Sequence, residues 1–222
     1  MAVLALDTST VVATAAVVSD GAILSELTWS IPRSHSEKIL PAIDTVLHLA
    51  DVSIRDVSLI AVTLGPGSFT GLRIGISLAK GLAEGIGARI AGISTLQLLA
   101  MQSRLHKGSI VPVLCAQRGQ YYASLFTGNG SHVQRVLPDR VVDPDVLWSW
   151  VENQAVDAVL TGEGASELGR KYGLHVAPAE LRLPRAGLLG LMTEAEAGLD
   201  PGEIVPNYVR SSSAKPRKGA ES

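Results

Sequence analysis

Residues 3–29 read VLALDTSTVVATAAVVSDGAILSELTW, and the fold class turns on how this stretch is divided. Three short runs rich in Val, Ala, Ile and Leu, at 3–6, 12–18 and 23–29, are separated by turn chemistry at 7–10 and 19–21. They predict three consecutive antiparallel strands. Downstream the apolar period lengthens to that of a helix. A helix is predicted over 34–50, a strand over 59–64, a helix over 71–86, a strand over 90–93 and a helix over 95–105. The order is βββαβαβα. The second half repeats it, with strands near 110–115, 121–126 and 133–137, a helix over 145–151, a strand over 156–161 and helices over 166–172 and 186–197. The expected architecture is α/β, with two lobes that each follow βββαβαβα, residues 1–108 and 109–210, and a mobile polar tail over 211–222.

The composition fits a globular chain. Of 222 residues, 46% are hydrophobic and only 18% charged, which leaves a sparsely charged surface. A net charge of -2 argues against a self-sufficient nucleic-acid binder, because phosphate contacts need a local excess of Lys and Arg. The single cysteine, Cys115, excludes an internal disulfide, fits a reducing compartment and reads as a small buried residue at a strand end. Asp7 interrupts the apolar start and no basic segment precedes it, so no signal peptide is predicted. No apolar run is long enough to span a membrane, and a cytoplasmic location is expected. Lys215, Arg217 and Lys218 make the tail basic, a solvated end with cations available to RNA.

Two helices look too apolar for one sheet. In the first, Ile39, Ile43, Val46 and Ala50 form a stripe that Ala42 and Leu49 widen on one side and Leu40 and Leu47 on the other. Pro41 removes a backbone donor early in this helix and predicts a loose or kinked first turn. In the second, Leu72, Ile74, Ile76, Leu78, Ala79, Leu82, Ala83 and Ile86 leave only Arg73, Ser77, Lys80 and Glu84 on a polar side. Gly71, Gly75 and Ala79 recur every four residues, which lets a neighbouring helix approach closely. The excess predicts a protein partner; the other reading is that the two helices cover each other and the second lobe.

Residues 65–73, GPGSFTGLR, lie between a predicted strand and a predicted helix, where free N–H groups and the helix dipole can hold an anion. Leu72 stands where a Walker A loop needs Lys, so a tight connection with Thr70 capping the helix is the competing reading. His35-Ser36-Glu37 invites a hydrolase reading, but Ser34 with Glu37 has the spacing of a capping box. Histidines at 35, 48, 106, 132 and 175 contain no HxxxH or HExxH pair, so no histidine metal site is predicted.

Leu4-Ala5-Leu6-Asp7-Thr8-Ser9-Thr10 resembles the first phosphate loop of the actin, sugar-kinase and chaperone-ATPase superfamily, a ribonuclease H-like fold. The glycine usual in that loop is missing. The resemblance therefore implies at most vestigial ATP or ADP binding at Asp7, Thr8 and Ser9, with no cofactor required. That loop, then His35-Ser36-Glu37-Lys38-Ile39-Leu40-Pro41, then GPGSFTGLR running into Ile74-Gly75 and Ala79-Lys80-Gly81-Leu82-Ala83, with Gly92-Ile93-Ser94-Thr95-Leu96 and Pro206-Asn207-Tyr208-Val209-Arg210, closely resemble the bacterial TsaB family, also called YeaZ.

The resemblance implies a non-catalytic subunit that dimerises with the metal-dependent transferase TsaD. It supports threonylcarbamoylation of the adenosine next to the anticodon in tRNAs reading codons that begin with A. TsaE, an ATPase, joins the complex, and tRNA is met only through it. The contact it implies is a four-helix bundle through the first two helices, here Ile39, Leu40, Ile43, Val46, Leu47, Leu72, Gly75, Ile76, Ala79 and Leu82. The same face would permit a homodimer of the isolated chain. Cys115-Ala116-Gln117-Arg118-Gly119 departs from the family, where an Asp more often stands in place of Cys115. An ATP-hydrolysing or kinase-like enzyme of the actin superfamily is the alternative, and a protease ranks last because no nucleophile and base pair is visible.

Overall fold

The computed structural model describes residues 1–30, 35–194 and 198–209. The first five strands are β1 (Ala2–Asp7), β2 (Val12–Ser19), β3 (Ala22–Ser30), β4 (Val57–Gly65) and β5 (Arg89–Ser94), in the order β3-β2-β1-β4-β5. β1, β2 and β3 run antiparallel, and β4 and β5 run parallel to β1. Asp20 and Gly21 both take positive φ, and Ser19 pairs with Ala22, so a two-residue turn joins β2 to β3. Every residue of the central β1 is buried, which explains its unbroken apolar run.

Helices α1 (His35–Leu49) and α2 (Phe69–Ile86) cover one face of this sheet. Leu4, Leu6, Val17, Ile60 and Val62 rise from the strands to meet Ile39, Ile43, Val46, Leu72, Ile76 and Ala79. α1 runs on through Pro41 as one helix. Ser68, not Thr70, caps α2, accepting from the Gly71 N–H at 3.2 Å. Ser34 of the expected capping box, Arg210 and the tail over 211–222 lie outside the described residues.

The second sheet holds β6 (Ser109–Cys115), β7 (Tyr121–Gly128), β8 (Val133–Val142), β9 (Val159–Thr161) and β10 (His175–Val176), in the order β10-β9-β6-β7-β8. Each sheet thus places its first strand centrally, with the hairpin on one side and the parallel strands on the other. Among the helices, α3 (Thr95–Gln102) links the sheets, and α4 (Pro144–Gln154) and α5 (Ala165–Tyr172) belong to the second.

The last helix corrects the expected second lobe. α6 (Ala186–Thr193) packs on the other face of the first sheet, its Ala186 and Leu189 among Val3, Ala5, Ala16, Val18, Leu59 and Ala61. That face is built of small side chains, and Gly187 and Gly190 bring the helix down onto Ile23 and Val18. The second lobe is therefore βββαβαβ, and the chain returns to the first. Leu199 then bridges Ile90, and the Asn207 N–H donates to the Leu64 carbonyl at 2.7 Å. Ala186–Thr193, Leu199 and Ile204, expected in the second lobe, pack against the first sheet instead.

Asp139 on β8 joins three parts of the molecule. Its side chain is 7% exposed, accepts from Ser94 Oγ at 2.6 Å and Asn207 Nδ2 at 3.3 Å, and pairs with Arg135. Asp139→Ala strands all three donors and is expected to cost about 1–2 kcal/mol, read as a lower Tm in calorimetry. No helix among the described residues is long and apolar enough to cross a membrane.

Candidate functional site

β1 ends at Asp7, and the turn after it is the tightest place in the first lobe. Asp7 is fully buried; its Oδ1 accepts from Ser9 Oγ at 2.6 Å, from the Ser9 N–H at 3.3 Å and from Thr63 Oγ1. Thr8 Oγ1 donates to the Gly71 carbonyl at 2.7 Å, and the Ser68 N–H donates to the Ser9 carbonyl at 2.7 Å. The glycines explain the closeness. A Cβ would lie 2.2 Å from the Ser9 carbonyl oxygen at Gly67, 2.0 Å from that of Thr8 at Gly71, and 2.3 Å from Thr8 Oγ1 at Gly75. GPGSFTG is thus a connection shaped to lay α2 on the β1 turn, backbone against backbone.

A cleft of about 500 Å³ opens beside this contact, lined by Ser9, Thr10, Ser68, Thr70, Gln117 and Glu163 among others. Cys115 also faces it, exposed at the end of β6 rather than buried as its residue type suggested. The Cys115 N–H donates to Glu163 Oε1 at 3.2 Å. Burial pushes the Glu163 carboxyl above its ordinary 4.5, and desolvation, then Glu163, push the Cys115 thiol up. Among the described residues no Lys or Arg lines the cleft, one wall carries a carboxylate, and α2 takes the Thr8 and Ser9 backbone. The Glu163 carboxylate on one wall, with no described cation facing it, opposes the phosphates of ATP or ADP. Among the described residues no group of three or more His, Cys, Asp or Glu is placed to hold a metal ion.

Glu163 yields a pH test. Its folded-state value lies above its unfolded one, so its contribution to stability is complete below 4.5 and is lost as pH rises through the raised value. Glu163→Gln keeps an oxygen for the Cys115 N–H. It is expected to raise Tm at neutral pH and to leave it unchanged below 4.5, measured by scanning calorimetry across pH.

The ten residues expected at a partner surface are divided by the structure. Ile39, Ile43, Val46, Leu47, Leu72, Gly75, Ile76 and Ala79 are buried in the chain's own first lobe, Leu82 is partly buried and Leu40 is 49% exposed. The reason is packing: the wide apolar arcs serve the sheet and the seam between α1 and α2, so the excess inferred from sequence is mostly consumed inside the monomer. What faces solvent is a different register of α2. Ser77, Gly81 and Gly85 are exposed, with open space around both glycines, beside the partly buried row Ile74, Leu78, Leu82 and Ile86. Leu40 and Leu49 are exposed on α1. The sequence carried this signal as a second four-residue series, indistinguishable from Gly71, Gly75 and Ala79 until the sheet is placed.

The comparisons with known proteins follow the same outline. The Bacillus subtilis tRNA threonylcarbamoyladenosine biosynthesis protein TsaB is 30% identical over 230 residues, covering 97% of this chain and 96% of that one. The chain belongs to the TsaB family. The TsaD family model, described as tRNA N6-adenosine threonylcarbamoyltransferase, matches residues 23–177. YeaZ from Pseudomonas aeruginosa superposes with a TM-score of 0.78 at 26% identity, covering 93% of this chain and 99% of that one. An activator of 2-hydroxyisocaproyl-CoA dehydratase from Clostridium difficile, solved with ADPNP, aligns with a TM-score of 0.52 at 13% identity over 88% of this chain and 94% of that one. The likeness to the activator shows the fold alone, an α/β arrangement of two sheets with helices.

Proposed function

We propose that this chain is the non-catalytic partner of a TsaD-type transferase in the biosynthesis of tRNA threonylcarbamoyladenosine, beside the anticodon of tRNAs reading codons that begin with A. The observation that carries the reading is the outer face of α2. An exposed series Ser77, Gly81 and Gly85 beside Ile74, Leu78, Leu82 and Ile86 offers a second helix pair close approach and an apolar seam. A related lobe docks there through its own first two helices and completes a four-helix bundle. TsaE joins that assembly, and the complex works in the cytoplasm, where its tRNA substrate is. The first test is native mass spectrometry of the chain mixed with TsaD. A one-to-one heterodimer is expected, and two unassociated species at micromolar concentration would reject the reading.

The cleft between the lobes favours a second reading, an ATP-hydrolysing enzyme of the actin class. Its lining of hydroxyls with the Glu163 carboxylate speaks against it. Equilibrium dialysis with Mg-ATP separates the two. Retention lost on Asp7→Asn would favour the enzyme, and no retention is expected.

A further inference from the structure

A groove of about 460 Å³ lies between α3, α6 and the turn from β7 to β8, on the face of the first sheet opposite α1 and α2. Its apolar end comes from α6. Ala186 and Leu189 of that helix meet the sheet, whereas Leu188, Leu191 and Met192 stay only partly buried and form a wall beside Ile93. At the other end the chain leaving α3 carries Arg104, and the turn carries His132. Hydrogen bonds fix this rim. Asn129 Oδ1 accepts from the N–H groups of Ser131 and His132 at 3.1 and 2.8 Å, and the Gly130 N–H donates to the Arg104 carbonyl at 2.9 Å. A Cβ on Gly128 would lie 2.4 Å from the His106 carbonyl oxygen, so the turn and the end of α3 pack backbone against backbone.

Charge and shape select what such a groove takes. Arg104 Nη1 donates to the Met101 carbonyl at 3.2 Å, which sets the guanidinium beside the groove with its other N–H groups to offer. Among the described residues no carboxylate pairs with Arg104 and none lines the groove. The cleft beside the β1 turn is the reverse, a carboxylate without a cation. A guanidinium gains from a planar anion that accepts two of its N–H bonds, while an aliphatic wall gains from a chain without polar atoms. Met101 and Met192 give the wall flexible side chains that adapt to such a chain. The eight residues of α3 span about 12 Å from one end to the other, a distance that a chain of several methylenes bridges. The volume lies within the range of small-ligand pockets, about 300–1,000 Å³.

We propose that this groove binds a small aliphatic carboxylate, its head on Arg104 and its chain along Leu188, Leu191 and Met192. The site lies apart from the outer face of α2 and is independent of the partner role proposed above.

The test is titration calorimetry of the full chain with octanoate kept below its micelle concentration, beside acetate, which lacks the chain, and octanol, which lacks the charge. Saturable one-to-one binding of octanoate is expected, with each comparison ligand at least about tenfold weaker. Arg104→Gln is expected to weaken octanoate at least about tenfold, the lower end for a hydrogen bond to a charged group, and to leave octanol unchanged. Methionine-methyl NMR of the unmodified chain reads the place without any substitution. Of the three methionines, Met101 and Met192 are expected to shift with octanoate and Met1 to stay still. Octanol binding as tightly as octanoate, uptake that does not saturate, methyl signals of Met101 and Met192 that stay still, or an affinity unchanged by Arg104→Gln would each overturn the proposal. If octanoate does not bind and Arg104→Gln instead weakens association with TsaD or with a second copy, the groove is a protein contact and the proposal falls.

Discussion

Gly71→Ala is expected to abolish recovery of folded protein, or to cost the folded fraction at least about 3 kcal/mol. The new methyl group would sit 2.0 Å from the Thr8 carbonyl oxygen, a backbone atom with no rotamer to escape into. Nor can the strand retreat, because Asp7 ties the same turn to Ser9 and Thr63. Moving α2 outward instead would open the core that Leu72, Ile76 and Ala79 close. Gly81 supplies the control within the same helix. Nothing lies within 4 Å of a Cβ there, so Gly81→Ala is expected to stabilise the isolated chain by up to about 1 kcal/mol through helix propensity. Denaturant unfolding of the two variants reads the contrast, and similar midpoints would mean that α2 does not rest on the β1 turn.

Gly81→Arg separates folding from association. The position is exposed and open, and Arg is a better helix former than Gly, so the monomer keeps its Tm or gains slightly. Against a docked helix the same side chain occupies the closest approach and buries an unpaired charge, which costs about 2–5 kcal/mol. Affinity for TsaD is expected to fall at least about thirtyfold, measured by titration calorimetry. Ile43→Asp and Gly75→Glu would also abolish binding, but by unfolding the chain, since Ile43 and Gly75 are both buried. An unaffected Gly81→Arg would move the contact away from α2.

The strands and most helices were legible because their periods are local: β1 reads as a buried run and the Asp20-Gly21 turn as a hairpin. The duplicated order was legible for the same reason. The destination of α6 was not, because an apolar octamer says that it is buried without saying against which sheet. Most residues expected at the partner face turn out to be buried in the chain's own first lobe. Amphipathic width in α1 and α2 counted the sheet, the seam between them and the outside as one demand, and only the fold assigns Gly71 and Gly75 inward and Gly81 and Gly85 outward. At the β1 turn the sequence offered a phosphate loop lacking its glycine. The missing freedom is matched by glycines on the opposing segment, where α2 needs the space.

What the chain contributes to the modification is measured most directly by reconstitution with purified TsaD, threonylcarbamoyl adenylate and unmodified tRNA, following threonylcarbamoyladenosine in digested tRNA by mass spectrometry. Product is expected to form faster with TsaD and this chain together than with TsaD alone, to fall back to the TsaD level with Gly81→Arg, and to be absent with the chain alone. Transfer by the chain without TsaD, or an unaltered TsaD rate when it is added, would contradict the account.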